Sequence, residues 1–261
     1  MDVGEHIEAL ERDGAALADA AHDAGLTALV PPCPGWQVRD LLRHIAYVHG
    51  WAARHVAEQR EELIDEASED DIVKGGPPDN SLMQAYRNGH AALVATLRAA
   101  DPDVKCATFM PAPSPLAFWA RRQAHETAIH RFDAQAARAA ATARGPVSPA
   151  DAFDPAFADD GVDELIMGFA ARRRYRPRGG EREQSMAIRA LDTGGRWRVR
   201  LSGGGTEVAR GDGAADCVID GTAAGLYAYL WNRCDWGMAG VTASGDPAVL
   251  DTWGNSVRVI W

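Results

Sequence analysis

The stretch FWARRQAHETAIHRFDA, residues 118–134, decides how the first half of the chain is read. It follows Ser114 and Pro115, which mark a helix start. Serine can accept a hydrogen bond from the first turn, and proline lacks only an N–H that would have no partner there. A helix is therefore expected from Pro115 to about Arg138. On it Glu126 and His130 stand four apart and share a face. A carboxylate and an imidazole so placed can grip one cation. His125 invites confusion with the zinc-protease motif His-Glu-x-x-His, whose histidines must be four apart. His125 and His130 are five apart and diverge by roughly 140° around the helix. The protease reading is rejected.

Working outward, a third ligand has to come from another helix. Val3, Ile7, Leu10, Gly14, Leu17 and Ala21 recur at alternating spacings of four and three, one apolar stripe with small residues at some contact points. After the break VPPCPG (30–35), Val38, Leu41, Ile45, Val48 and Ala52 form a second stripe. His44 borders it, flanked by Leu41, Ile45 and Val48, and is the first candidate. His49 borders the same stripe and is the second. The bland alternative is that both are core histidines bonded to backbone. A third helix follows the charged stretch 58–71 and the turn GGPPDN, with Asn80 or Ser81 as its cap and Leu82, Tyr86, Leu93 and Leu97 on its face. With the helix after Ser114, these make a four-helix bundle. A short helix is expected over 159–171.

The pattern then changes. RRRYRPRGGERE (172–183) reads as a solvated linker, although its arginines could hold an acidic group. SMAIRAL, RWRVRLS, TEVAR and DCVIDG read as strands joined by glycine turns. A helix over 222–232, a short strand near Val241 and a final helix or strand pair follow. The domains are thus placed at 1–171, an all-α bundle, and 172–261, a smaller α+β domain.

The 261 residues carry a formal net charge of −10, which argues against binding nucleic acid or an anionic membrane. No apolar run is long enough to span a bilayer, and the acidic amphipathic start is not a signal peptide, so a cytoplasmic protein is expected. Cys33, Cys106, Cys217 and Cys234 form no Cys-x-x-Cys pair, so no disulfide framework or zinc knuckle is expected. Of the 27 basic residues only Lys74 and Lys105 are lysine, a hint of a GC-rich genome.

CPGWQVRDLLRHIAYVHGWA (33–52) and FWARRQAHETAIHRFDA (118–134) resemble the two signatures of the mycothiol-dependent maleylpyruvate isomerase family, which belongs to the DinB-like metal-binding four-helix bundles. ADCVIDGTAAGLYAYLWNR (215–233) and VTASGDPAVLD (241–251) resemble the sterol-carrier-like domain that follows the bundle in this family. The resemblance implies His44, Glu126 and His130 as metal ligands. Gln37 departs from it, standing where a Ser or Thr cap is usual; glutamine caps poorly, so a different helix start is expected. Two histidines and one carboxylate leave open coordination positions, as in catalytic zinc sites and also in non-haem iron oxygenases. The resemblance favours Zn2+ with mycothiol as thiol cosubstrate. It implies a metal-bound thiolate that attacks an electrophilic small molecule, by addition, rotation and elimination in an isomerase or by addition alone in an S-transferase. It also implies that Arg233 assists, by holding a substrate carboxylate.

Asp133 is open between orienting a ligand and forming a surface ion pair with Arg131 or another arginine. Arg122 and His125 are expected to face solvent. Cys33 is expected as a small buried hydrophobe, and Trp36, Trp51 and Trp119 as core or pocket wall. The competing functions are a lipid or small-molecule binding protein with a structural metal, and an oxidative iron enzyme.

Overall fold

The computed structural model describes residues 1–65, 67–172, 183–202 and 204–256. Most of the stretch expected as a linker, 173–182, lies outside them. The described chain forms two compact units, the first spanning Met1–Val147 and the second beginning at Ser148.

Four long helices build the first unit: α1 (Val3–Ala24), α2 (Val38–Ala57), α4 (Asp79–Ala99) and α5 (Pro115–Ala141), with a short α3 (Glu69–Gly75) that begins at the end of the charged stretch. Asp2 and Glu5 cap α1 reciprocally, at 2.8 and 2.7 Å. Helix α2 starts where its stripe starts, despite Gln37. Its first N–H groups are met from elsewhere: Val38 by Ala28 O at 2.9 Å and Arg39 by Leu26 O at 3.0 Å. The Gln37 N–H itself is met by the Asp40 carboxylate, at 2.9 Å. A side-chain cap from residue 37 is thereby dispensable. Helix α4 differs from expectation. It begins at Asp79 behind Pro78, and the Ser81 hydroxyl donates to Pro78 O at 3.2 Å instead of capping. Ser114 caps α5 as expected, through Ala117 N at 3.2 Å.

Helix α5 is the centre of this unit. It packs most extensively on α1 and also meets α2 and α4. Residues 122–134 are all buried, so this helix has no solvent face over that span. Leu17, Val38, Leu41, Leu42, Ile45, Leu82, Tyr86, Ala134 and Ala137 form one apolar cluster across the four long helices.

The second unit holds a mixed five-stranded sheet of order β3-β2-β1-β4-β5: β1 (Gln184–Ala190), β2 (Arg196–Ser202), β3 (Gly205–Arg210), β4 (Cys217–Gly221) and β5 (Thr242–Gly245). Among the described residues, β1 and β4 pair in parallel and the other neighbouring strands pair antiparallel. Trp197, Val199 and Leu201 of β2 are buried while Arg198 and Arg200 between them are exposed, the period-two signature of a sheet covered on one face. The helices of this unit are α6 (Pro149–Ala152), α7 (Pro155–Asp163), a π-helical segment (Glu164–Ala170), α8 (Ala223–Leu230), α9 (Trp236–Ala239) and a final helix α10 (Ala248–Ser256).

Helix α7 and the π-helical segment belong with the sheet, whereas the sequence reading attached 159–171 to the bundle. Gly161 lets the Tyr227 ring of α8 lie against α7, where a β-carbon would come within 2.3 Å of it. Asp163 accepts from Trp197 Nε1 at 3.1 Å and from Arg210 at 2.7 Å. These contacts join distant stretches, so the local pattern of 159–171 does not reveal them.

Candidate metal centre

Helices α2 and α5 bring His44, Glu126 and His130 together. His44 Nε2 lies 3.2 Å from Glu126 Oε1, and His130 Nε2 lies 3.3 Å from the same oxygen. The three side chains are at most 4% exposed, and one ligand atom from each lies within 4.8 Å of the others.

The surroundings fix each member. Asp133, fully buried, places Oδ2 2.9 Å from His130 Nδ1. An ionised carboxylate only accepts, so Nδ1 carries the proton and Nε2 turns its lone pair toward Glu126. Cys33 Sγ donates to the same Asp133 oxygen at 3.4 Å. Arg122, one turn before Glu126 on α5, donates to Glu126 Oε2 at 2.5 Å. Burial by itself would raise the Glu126 pKa. The Arg122 charge first, then the nearby His130 and His44 imidazoles, outweigh it and hold the carboxyl well below its ordinary value of 4.5. Trp36, half-buried, stands 5.3 Å from the His44 ring and stacks near-parallel on His130 at 6.3 Å.

This donor set fits a divalent cation. Ligands roughly 2.1 Å from a tetrahedral zinc are about 3.4 Å apart, close to the separations between Glu126 Oε1 and each imidazole. A buried carboxylate facing two imidazoles, one supported from behind by Asp133, could supply three ligands to such a cation.

His49 lies elsewhere. It is buried, with Nε2 2.8 Å from Thr127 Oγ1, and burial first, then the neighbouring His90, lowers its pKa well below 6.5. Asp133 orients His130 and is no surface ion pair. Arg122 and His125 do not face solvent as expected: they are 3% and 0% exposed, because α5 is enclosed by its neighbours. His125 instead stands edge-on to His6 of α1, at 6.0 Å. Cys33 is buried, but its thiol is also part of the Asp133 network. Trp51 and Trp119 are core, their rings 5.1 Å apart. Arg233 lies just past α8, 6% exposed, and donates to Trp231 O at 2.8 Å. Sequence reasoning missed Arg122 as part of the site. The signal was present, since Arg122 and Glu126 are four apart on one helix.

Among the described residues, no helix is long and apolar enough to cross a membrane. The sequence model of the mycothiol maleylpyruvate isomerase N-terminal domain matches residues 7–135, and that of the MDMPI C-terminal domain matches residues 156–252. No curated protein matches the chain. Two crystal structures of mycothiol-dependent maleylpyruvate isomerase share its fold. A mutant form is 15% identical with a TM-score of 0.64, and a second structure is 14% identical with a TM-score of 0.62. Each match covers 94% of this chain and 93% of the other. With both domain models matched in order and the fold shared along nearly its whole length, the chain belongs to the mycothiol-dependent maleylpyruvate isomerase family of enzymes.

Proposed function

We propose that His44, Glu126 and His130 hold a divalent cation, zinc in the first instance, and that the chain uses it to turn mycothiol on an electrophilic small molecule, as an isomerase or an S-transferase. The observation that carries this reading is the convergence of both imidazole Nε2 atoms on one buried carboxylate oxygen. Zinc held there would stabilise a thiol as its thiolate near neutral pH.

The chain's own groups prepare that chemistry. Asp133 keeps His130 in the tautomer whose Nε2 can ligate. Arg122 offsets the charge of Glu126 in a buried setting, where an unpaired carboxylate would be costly. Trp36 forms an apolar wall against both imidazoles and limits water at the centre. The position of Arg233 in the YLWNR run supports a role for it in holding a substrate carboxylate. A guanidinium suits that role because it binds a carboxylate with two parallel hydrogen bonds.

The test is metal analysis of anaerobically purified protein together with turnover of maleylpyruvate and monochlorobimane, with and without mycothiol. About one zinc per chain and strict thiol dependence are expected. No thiol dependence across a panel of electrophiles would sink the proposal, and stoichiometric iron would redirect it to oxidative chemistry.

A further inference from the structure

Glu126 has two oxygens, and the structure uses them differently. Oε1 faces His44 and His130 at 3.2 and 3.3 Å, while Oε2 is engaged by Arg122 at 2.5 Å. Arg122 and Glu126 are both buried, so their contact is charge-assisted and shielded from water. Turning Oε2 toward the histidines would break that contact where no water can replace it. A carboxylate without such a partner is free to grip a cation with both oxygens, as carboxylates commonly do. That would fill a position an incoming ligand needs. The guanidinium also cancels the charge of Glu126, so a divalent cation beside it retains its pull on an anion.

We infer that Arg122 is a positioning residue: it holds Glu126 as a one-oxygen ligand and thereby keeps a coordination position open for the thiol. The inference rests on the metal reading above. It concerns a residue one turn from the ligand, on the side of Glu126 away from both imidazoles.

The experiment uses the full chain, Co2+ alone as the metal probe and 2-mercaptoethanol as the thiol probe. Four-coordinate cobalt absorbs visible light several-fold more strongly than five- or six-coordinate cobalt. The wild-type protein should give the intense spectrum and a sulfur-to-cobalt band on adding thiol. Arg122→Met at full cobalt occupancy should lose most of the visible intensity and bind thiol about 10-fold more weakly, within the range of changes behind metal ligands. Arg122→Lys keeps a cation that can reach Oε2 and should recover most of the intensity. If Arg122→Met does not fold, as judged by circular dichroism, Arg122→Gln is read in its place. A neutral variant with the wild-type spectrum and thiol affinity overturns the inference, as does a folded Arg122→Lys that behaves like Arg122→Met. Wild-type protein that binds no cobalt overturns this inference and the metal reading together. Wild-type binding with unaltered variants overturns only the role of Arg122.

Discussion

Two sets of buried histidines lie in the same bundle and differ in their company. His44 and His130 face the Glu126 carboxylate, and Asp133 stands behind His130. His49 and His90 hydrogen-bond to neutral groups: Thr127 Oγ1 at 2.8 Å for His49 and Leu10 O at 3.0 Å for His90. Tyr86 stacks parallel to His90, and its hydroxyl donates to Gly14 O at 2.9 Å. Burial first, then neighbouring charge, keeps His49 neutral. Both sets are histidines bordering an apolar stripe. A histidine becomes a candidate ligand when a carboxylate shares its space and something fixes its tautomer. Without them it is a polar strut in the core.

The sharpest way to break this comparison is to exchange the losses. His130→Ala should strip nearly all metal and thiol-dependent turnover, whereas His49→Asn should leave about one metal per chain. Elemental analysis of the two purified variants decides it; equal metal contents would erase the distinction. Asp133→Ala tests the support behind the ligand. It should weaken metal binding about 10–100-fold, the usual cost of losing such a partner, while the fold persists. Competition with a chelator measures this. An unchanged affinity would mean that the His130–Asp133 bond contributes nothing to binding.

How much of this was legible depended on distance along the chain. The Glu126/His130 pair follows from a spacing of four, and the bundle follows from stripes of three and four, because both are local properties of a helix. The choice between His44 and His49 is not local. Both border the same stripe of α2, and what separates them is whether Glu126 or Thr127 of α5 lies opposite. The same holds for Arg122 and His125, which a single-helix view puts in water. Their burial is a property of the tertiary packing around α5, which the sequence of one helix does not contain. Asp133 was open for a similar reason, since the burial of α5 decides between a ligand support and a surface ion pair. The strands were legible from alternation, but the membership of 159–171 depends on Tyr227 and Arg210, far along the chain.

The neutral histidine set has its own requirement, which a single methyl group should expose. His90 reaches Leu10 O because Gly14, one turn further along α1, has no side chain. A β-carbon there would come within 2.1 Å of His90 Nε2. Gly14→Ala must displace the ring and its hydrogen bond, at a cost of about 1–3 kcal/mol for overpacking. The alanine's better helix propensity returns at most about 1 kcal/mol of this. Urea unfolding should show a lower midpoint with an unchanged slope, and metal content should stay at the wild-type level. A midpoint equal to or above wild type would show that the α1–α4 contact yields without strain.

The two sets should also fail in different pH windows. His49 has a folded pKa well below 6.5, so between those values the unfolded chain binds more protons. Stability is therefore full above about pH 6.5 and falls as the pH drops toward the folded value. The slope is at most about 1.4 kcal/mol per pH unit for this one group. Glu126 behaves oppositely in origin. Its folded pKa is held below 4.5, so its contribution is present above that value and is lost only as the pH falls through the lowered one. Mild acid should thus reach the neutral histidines first and the carboxylate later. In chelator-treated protein, His49→Asn should flatten the decline in urea midpoint between pH 6.5 and 5.5 while leaving the decline below pH 4.5 in place. If both declines flatten together, the two sets titrate as one unit and the separation drawn between them fails.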